Sequence, residues 1–494
     1  MYKSIIFSFG FTSRTGGAHR IATELRSYNW DCEVVDFVLF WELEELKQLA
    51  CSRIDNNTKF IGFSHLFYTW NPKLEHFCEW LKEKWPHLYI FSGSNAWPTI
   101  NSNYIDYYFQ GYSEYAIIEL CKHLFSNGSP VKYTLDEANR KVILPNIDYK
   151  AAPFKDPVII YEDRDYICPE EWLSIEFSRG CKFKCDFCNF PMLGVKGDYS
   201  RDADSVERQL KDTYDRFGVT RYIVTDETFN DRLSKINKFA DVSEKIDFDP
   251  LFTGFLRADL LVSNPAQQEA LLRMGFIGHY YGVESFNHQT AKTVGKGMHP
   301  QRLQQGLIDI KNYFLNNNKK LYRGEISLIA GLPHETKETL QQTKRWLLQN
   351  WQGQRFQMFA MDIPKQHHDK NSLISLDYKK YEYQEMTNNE ITNSYYQPQK
   401  LYDHDPFASS KLENIVWKNQ HMNVFDAIKI AEEMEILSST EKFKIGAFRL
   451  GQIGLPQDTE QLFGLSVTRA NKIETNKNSK IVDIYKNKKL GTTW

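Results

Sequence analysis

Three cysteines fall within eight residues, Cys181-Lys182-Phe183-Lys184-Cys185-Asp186-Phe187-Cys188, directly after a strand-like run ending in Ser178-Arg179-Gly180. Thiolate is the usual protein ligand of iron–sulfur clusters, and a loop this short lets three sulfurs converge. The spacing C-x3-C-x2-C therefore suits a cubane in which each thiolate holds one iron and the fourth iron lacks a protein ligand. A competing chemistry enlists Cys168, since four thiols would close a tetrahedral zinc site. Zinc knuckles usually come as two separated short pairs rather than a compact triplet. Three thiols interleaved with lysines also do not read as packed core.

Such a triplet needs a scaffold that brings polar groups to the open iron. Leu173, Ile175 and Phe177 alternate in a strand ahead of the cysteines, and five strand patterns follow at Arg221–Thr225, Leu251–Leu256, Phe276–Val283, Gly324–Ala330 and Phe356–Met361. Helical patterns separate them: Val206, Leu210, Tyr214 and Phe217 share one face of the first, and Arg302–Phe314 and Lys337–Leu348 are clearly periodic. Six βα repeats predict a partial (β/α)6 barrel with its chemistry at the carboxyl ends of the strands. Those ends carry Thr225-Asp226-Glu227-Thr228-Phe229-Asn230, Arg257-Ala258-Asp259, Gly282-Val283-Glu284-Ser285 and Ile329-Ala330-Gly331-Leu332-Pro333-His334-Glu335-Thr336.

With aromatic Phe187 immediately before the last cysteine, and with Gly282-x-Glu284-Ser285 and Gly331-Leu332-Pro333 in this order, the segment resembles the radical SAM superfamily. The resemblance implies a [4Fe-4S] cluster held by Cys181, Cys185 and Cys188, with S-adenosylmethionine chelating the open iron. It also implies an external electron donor such as flavodoxin or ferredoxin, and reductive cleavage to methionine and a 5′-deoxyadenosyl radical. Glu227 would then lie near the methionine amino group, Arg257 near its carboxylate, and Glu284 and Ser285 near the ribose and tail. Phe187, Ile329 and Leu332 would flank adenine. Without the resemblance, Arg257 and Glu284 can also be read as a salt bridge inside the barrel.

Ahead of the barrel, strands at Ser4–Phe9, Cys32–Phe37, Phe60–Ser64, Leu88–Ser92 and Tyr104–Gln110 alternate with helical patterns. The helices include Trp41–Leu49, Leu74–Lys84 and Glu114–Phe125. This predicts a flavodoxin- or Rossmann-like doubly wound parallel sheet over residues 1–126, with ligands beyond the carboxyl ends of its strands. No G-x-G-x-x-G supports a dinucleotide fingerprint. The loops Ser92-Gly93-Ser94-Asn95-Ala96-Trp97-Pro98 and Gln110-Gly111-Tyr112-Ser113-Glu114 resemble those of cobalamin-binding domains fused to radical SAM domains. The resemblance implies cobalamin near Ser64, His65, Gly93, Ser94 and Gly111, with Tyr68, Trp70 and Trp97 also on loops able to face it. The D-x-H-x-x-G of better-known cobalamin proteins is missing; after the second strand the chain reads Asp36-Phe37-Val38-Leu39-Phe40. The implied cobalt therefore has no histidine beneath it, and the residues also allow a domain that has lost the cofactor and only positions or covers the barrel.

Residues 127–169, with Pro130, Pro145, Pro153, Pro157 and Pro169, read as a linker, and residues 170–363 as the barrel. Residues 364–494 read as a mixed, partly helical region that caps the barrel. Within it His367–Gln399 is polar, His367 and His368 read as solvated, Ala427–Ile436 suggests a helix, and the basic stretch Arg469–Lys489 reads as a solvated tail. A length of 494 residues fits two or three domains, and 41% hydrophobic with 25% charged residues is the balance of a soluble protein. A net charge of −2 gives no reason to expect a polyanion-binding surface overall, so nucleic acid is not indicated as a partner. Eight cysteines with three clustered suit a reducing compartment, and the expected location is cytoplasmic. Tyr2–Phe11 reads as a first strand rather than a signal peptide, and no apolar run is long enough to span a membrane.

The resemblance as a whole implies cobalamin-dependent methylation of an unactivated carbon. Radical rearrangement, cyclisation or oxidation, with or without cobalamin, stays open beside it, and a zinc-stabilised nucleic-acid module is the reading from another class. Methylthiolation would need a second cluster, whereas Cys32, Cys51, Cys78 and Cys121 are scattered and read as buried thiols. No residue identifies the substrate.

Overall fold

The computed structural model describes residues 1–10, 14–65, 72–94, 102–136, 139–144, 154, 157–190, 195–317, 322–365, 372–392, 414–447 and 482–491. Tyr68, Trp70, Trp97, His367 and His368 lie outside the described residues. The chain forms two compact units, Met1–Ser174 with Arg208–Val219 and Lys477–Trp494, and Ile175–Glu207 with Thr220–Asn476.

In the first unit, β1 (Lys3–Ser8), β2 (Asp31–Val35), β3 (Thr58–Ser64), β4 (Tyr89–Ser94) and β5 (Tyr107–Gln110) alternate with α1 (Gly16–Ser27), α2 (Leu43–Arg53), α3 (Pro72–Lys84) and α4 (Glu114–Phe125). With β6 (Thr134–Leu135) and β7 (Lys141–Ile143) added, the sheet order is β2-β1-β3-β4-β5-β7-β6. Ile5, Ile6 and Phe7 are consecutive and all buried, because helices cover both faces of a parallel sheet. One face takes Ala18, Ala22 and Leu25 of α1 with Ile117 and Leu120 of α4. The other takes Leu46 and Leu49 of α2 with Leu74, Phe77 and Leu81 of α3.

Three details of the first unit depart from the sequence expectation. The segment read as a linker supplies β6 (Thr134–Leu135) and β7 (Lys141–Ile143), the latter parallel to β5 and burying Val142 and Ile143. A three-residue strand is too short to show a period. Cys51 is exposed beside the Lys84 amine at 3.0 Å, while Cys32, Cys78 and Cys121 are buried as expected. The basic end of the chain is also not a free tail over its last turns. Residues 482–490 form a helix whose Val482 and Tyr485 enter the core beside α2 and α3. Two of its lysines are matched rather than solvated: Lys489 donates to Glu33 at 2.8 Å, and Lys486 pairs with Glu45 at 2.6 Å.

The Tyr485 hydroxyl accepts the Asp36 backbone N–H at 2.9 Å and donates to the Val34 carbonyl at 3.3 Å, closing the end of β2. Asp36 itself pairs with Arg14 at 2.5 Å and His19 at 3.0 Å, and Arg14 also holds Glu171 at 2.6 Å. These opposite charges keep the Asp36 carboxyl ionised, well below the usual range despite full burial.

A second sheet has the order β15-β14-β13-β12-β11-β8, built from β8 (Trp172–Ile175), β11 (Arg221–Val224), β12 (Leu251–Leu256), β13 (Phe276–Glu284), β14 (Arg323–Ala330) and β15 (Arg355–Ala360). Neighbours from β11 to β15 pair parallel. Between them run α5 (Ala203–Phe217), α6 (Leu233–Lys245), α7 (Ala258–Ser263), α8 (Ala266–Met274), α9 (His288–Thr293), α10 (Pro300–Asn317) and α11 (Lys337–Asn350). On α5, Thr213 rather than Tyr214 takes the buried place after Leu210, so the stripe turns by one position. Among the described residues no helix is long and apolar enough to cross a membrane.

Tyr485→Phe should strand the buried Asp36 N–H and cost about 1–3 kcal/mol. Denaturant unfolding of the full chain measures this. Unchanged stability would mean that the helix at 482–490 does not hold β2.

Candidate cofactor site

The cysteine loop is pinned at both ends. A short β9 (Ser178–Arg179) pairs antiparallel with β10 (Tyr199–Ser200), and the Cys181 N–H donates to the Val195 carbonyl at 3.1 Å. Between them Gly180 takes φ +100°, and a Cβ there would lie 2.8 Å from the Gly197 carbonyl oxygen. Only glycine fits this crossing. Farther along, the Cys188 N–H closes a turn on the Cys185 carbonyl at 3.0 Å, and Asp186 accepts from the Ile374 N–H at 3.0 Å and the Tyr381 hydroxyl at 2.7 Å. Cys185 is buried and Cys181 and Cys188 are partly exposed.

Each sulfur has a different neighbour. Cys181 lies 3.5 Å from the Thr228 hydroxyl, and Cys185 receives the Arg257 guanidinium at 3.4 Å. Burial pushes the Cys188 thiol up to about 11, so a metal binding there must displace a proton. A cubane asks three thiolates for one iron each, whereas zinc asks all its ligands to meet at one ion. Cys168 directs its thiol at the Tyr166 carbonyl. The donor set and the glycine-tight loop fit the cluster.

Beneath the loop lies a buried network that sequence reading missed. Lys235 of α6 donates to Ser178 Oγ at 2.9 Å, the Thr228 carbonyl at 3.2 Å and Asp198 at 3.1 Å, and pairs with Asp231 at 2.6 Å. Asp226 accepts the Phe177 N–H and the Ser178 hydroxyl, yet burial pushes its carboxyl up to about 7. The only trace of this in the sequence is the i,i+4 spacing of Asp231 and Lys235. Glu227, next in line, accepts the Gly180 N–H at 2.9 Å.

The other sequence-singled residues fall at the same strand ends with specific partners. Arg257 follows β12, where Asn230 brackets its backbone through both N–H and carbonyl, and its guanidinium forks onto Asp259. The alternative salt bridge from Arg257 to Glu284 is not formed. Glu284 instead faces Lys296 at 3.5 Å, and burial raises its carboxyl. Glu284 has φ +68°, and its carboxylate folds back over Gly282, where a Cβ would come within 2.6 Å of it. The Lys296 amine donates to the Gly282 carbonyl at 2.7 Å and lies 5.9 Å from the Phe187 ring.

Ser285 commits its hydroxyl to Glu335 at 2.6 Å and accepts the Asn287 N–H. Glu335 Oε2 has no partner among the described residues, and burial pushes its carboxyl up to about 8. Ile329 is half-buried at the end of β14, but Leu332 is fully buried, so of the two expected to flank adenine only Ile329 has an accessible face. The turn after β14 is clamped from the C-terminal region. Tyr383 donates to the Gly331 carbonyl at 2.6 Å, and Trp417 occupies the space a Cβ on Gly331 would need. Nothing local in the sequence marks these contacts.

Inside the barrel, register aligns Phe255 with Tyr280 and Tyr280 with Glu325, and the Phe255 and Tyr280 rings meet edge to face at 4.9 Å. The Tyr280 hydroxyl bonds to Ser327. The Ala447 carbonyl accepts Thr253 Oγ1 at 2.6 Å, and Gly446 packs on the Glu325 carboxylate.

In the first unit, the candidate cobalamin residues line the carboxyl edge of the sheet. The Ser64 carbonyl accepts from Phe9, and the His65 N–H donates to Gly93. Register places Ser64 beside Gly93 and Ser94 beside Gln110. Gly111 has φ +83° and open space where a Cβ would stand, and Gly93 has only Phe109 at 4.0 Å. Neither glycine carries a side chain over this edge. His65 is buried edge-on to Phe9 at 5.9 Å and does not project from it.

Residues 175–347 match the radical SAM superfamily. An uncharacterized methyltransferase of Pyrococcus horikoshii is 26% identical over 167 residues, 34% of each chain, so the match spans about a third of that relative. TsrM from Kitasatospora setae, a radical S-adenosylmethionine methyltransferase solved with cobalamin and a [4Fe-4S] cluster, superimposes with TM-score 0.67 and 11% identity over 97% of this chain and 100% of its own. OxsB, a cobalamin-dependent S-adenosylmethionine radical enzyme, gives TM-score 0.54 and 14% identity over 77% of this chain and 56% of its own. At these identities the two structures establish a shared fold.

Glu335 gives a pH test. Its folded pKa of about 8 lies above the ordinary 4.5, so the folded state keeps a proton that the unfolded chain gives up. This stability is complete below about pH 4.5 and is lost as pH rises to about 8. Glu335→Gln should flatten the fall of Tm between about pH 5 and 8 and be the more stable form at pH 8. An unchanged slope would contradict a proton held there.

Proposed function

We propose that this chain, built around its radical SAM domain at residues 175–347, cleaves S-adenosylmethionine reductively and methylates an unactivated carbon with the help of cobalamin. The observation that carries the reading is the triplet Cys181, Cys185 and Cys188, pinned at a barrel end lined by Glu227, Arg257 and Glu284. The two glycines at the carboxyl edge of the first sheet, and the shared fold with TsrM across nearly the whole chain, support the cobalamin part.

When bound, the [4Fe-4S] cluster and cobalamin would supply, respectively, the electron that breaks the carbon–sulfur bond and the methyl group. The protein's own work is placement and exclusion of water. Cys181, Cys185 and Cys188 would hold the cluster. Glu227 faces the methionine amino group, with one carboxylate oxygen already fixed by Gly180 so that it presents a set orientation. Glu284, folded over Gly282, takes the ribose and tail, and Ser285 holds that turn through Glu335. Phe187 and Ile329 flank adenine, and Leu332 supports them from within the core. Ser64, Gly93, Ser94 and Gly111, with the backbone of His65, would hold cobalamin along the carboxyl edge of the first sheet. The electron comes from an external donor such as a flavodoxin or ferredoxin.

Anaerobic protein rebuilt with iron, sulfide and cobalamin should hold four irons and one cobalt per chain and form 5′-deoxyadenosine when reduced with S-adenosylmethionine. Replacing any one of the three cysteines by Ala should abolish nucleoside formation and lower bound iron, while Cys168→Ala should leave both unchanged. Stoichiometric zinc with no nucleoside would contradict the reading.

A further inference from the structure

We infer that Arg257 is a fixed, charged hydrogen-bond donor to the Cys185 sulfur, and that it sets the reduction potential of the cluster. The inference rests on the proposed cluster and assigns Arg257 a role beyond the methionine carboxylate.

Both ends of the Arg257 residue are held in place. Its backbone is bracketed by Asn230 at 2.8 and 3.0 Å, and its Nε and Nη2 fork onto Asp259 at 3.0 and 2.7 Å. Its plane lies 4.0 Å from the centre of the Phe183 ring, inside the cysteine loop. With those groups committed, Nη1 points at Cys185 Sγ at 3.4 Å, and the side chain is buried. The geometry uses features that lysine lacks, a planar fork and a stacking face. The three sulfurs are also treated unequally. Cys181 meets a neutral hydroxyl, and Cys188 meets the backbone N–H of Phe190. Cys185 alone of the three has a charged donor among these described contacts.

Hydrogen bonds to cluster sulfurs and local charge are main determinants of the potential. A cationic donor draws electron density from the thiolate and favours the reduced, more negative cluster, so it raises the potential. The exposed Lys182 and Lys184 lie on the same loop, but water and salt screen them.

The test is a redox titration of the rebuilt cluster without S-adenosylmethionine, followed by electron paramagnetic resonance, on wild type, Arg257→Gln and Arg257→Lys. S-adenosylmethionine affinity is measured in parallel. Arg257→Gln should shift the oxidised-to-reduced ratio at fixed potential about tenfold toward oxidised, about 59 mV for one electron, with an altered reduced spectrum. Arg257→Lys should shift it the same way by less, and it carries the test if the Gln variant does not hold iron. An unmoved potential and spectrum in a variant that holds the cluster, with weakened S-adenosylmethionine binding, would overturn the inference and leave Arg257 to the carboxylate. A wild-type protein that builds no cluster would overturn both this inference and the reading beneath it.

Discussion

The ammonium of Lys235 carries the geometry of the cysteine loop because it is buried among Asp198, Asp226 and Asp231 and reaches backbone and hydroxyl oxygens on both sides of the sulfurs. An ion so desolvated has no alternative partner in water, and removing one member of such a group typically costs about 3–5 kcal/mol. Its contacts are the residues that position the rest. Ser178 leads into Gly180, Thr228 faces Cys181, and Asp231 receives the Lys182 amine through its carbonyl. The loop exposes Lys182 and Lys184 to water, and this polar clasp holds it from beneath.

The opposite side of the loop is held by chain far away in sequence. Asp186 takes Tyr381 and the Ile374 N–H, and the turn after β14 is closed by Tyr383 and Trp417. The C-terminal region is therefore part of the barrel end. Arg355 extends this by binding Glu435 and Ser438 of the helix Val424–Ser438, which packs along β15.

Elements whose cause is local were legible in the sequence. The cysteine triplet, the alternating strands and helices of both sheets, and the strand-end positions of Glu227, Arg257 and Glu284 follow from spacing and periodicity. The strand Leu251–Leu256 has the bounds its apolar pattern implies. What was not legible depends on partners distant in sequence, on which of several charged groups lies nearest in space, or on elements too short to show a pattern. The helix at 482–490 looks like a basic tail until Glu33 and Glu45 are seen to receive its lysines. β7 is three residues long. Glu284 and Arg257 look like natural partners until Lys296 and Asp259 are seen to be nearer.

The central claim is that Cys181, Cys185 and Cys188 hold an iron–sulfur cluster at the barrel end. The most direct test is anomalous diffraction at the iron edge from crystals grown without oxygen. The account predicts one dense four-iron peak bonded to these three sulfurs, with the Arg257 guanidinium beside Cys185 and one iron free of cysteine. A single metal ion whose ligands include Cys168, or iron lodged elsewhere, would contradict it.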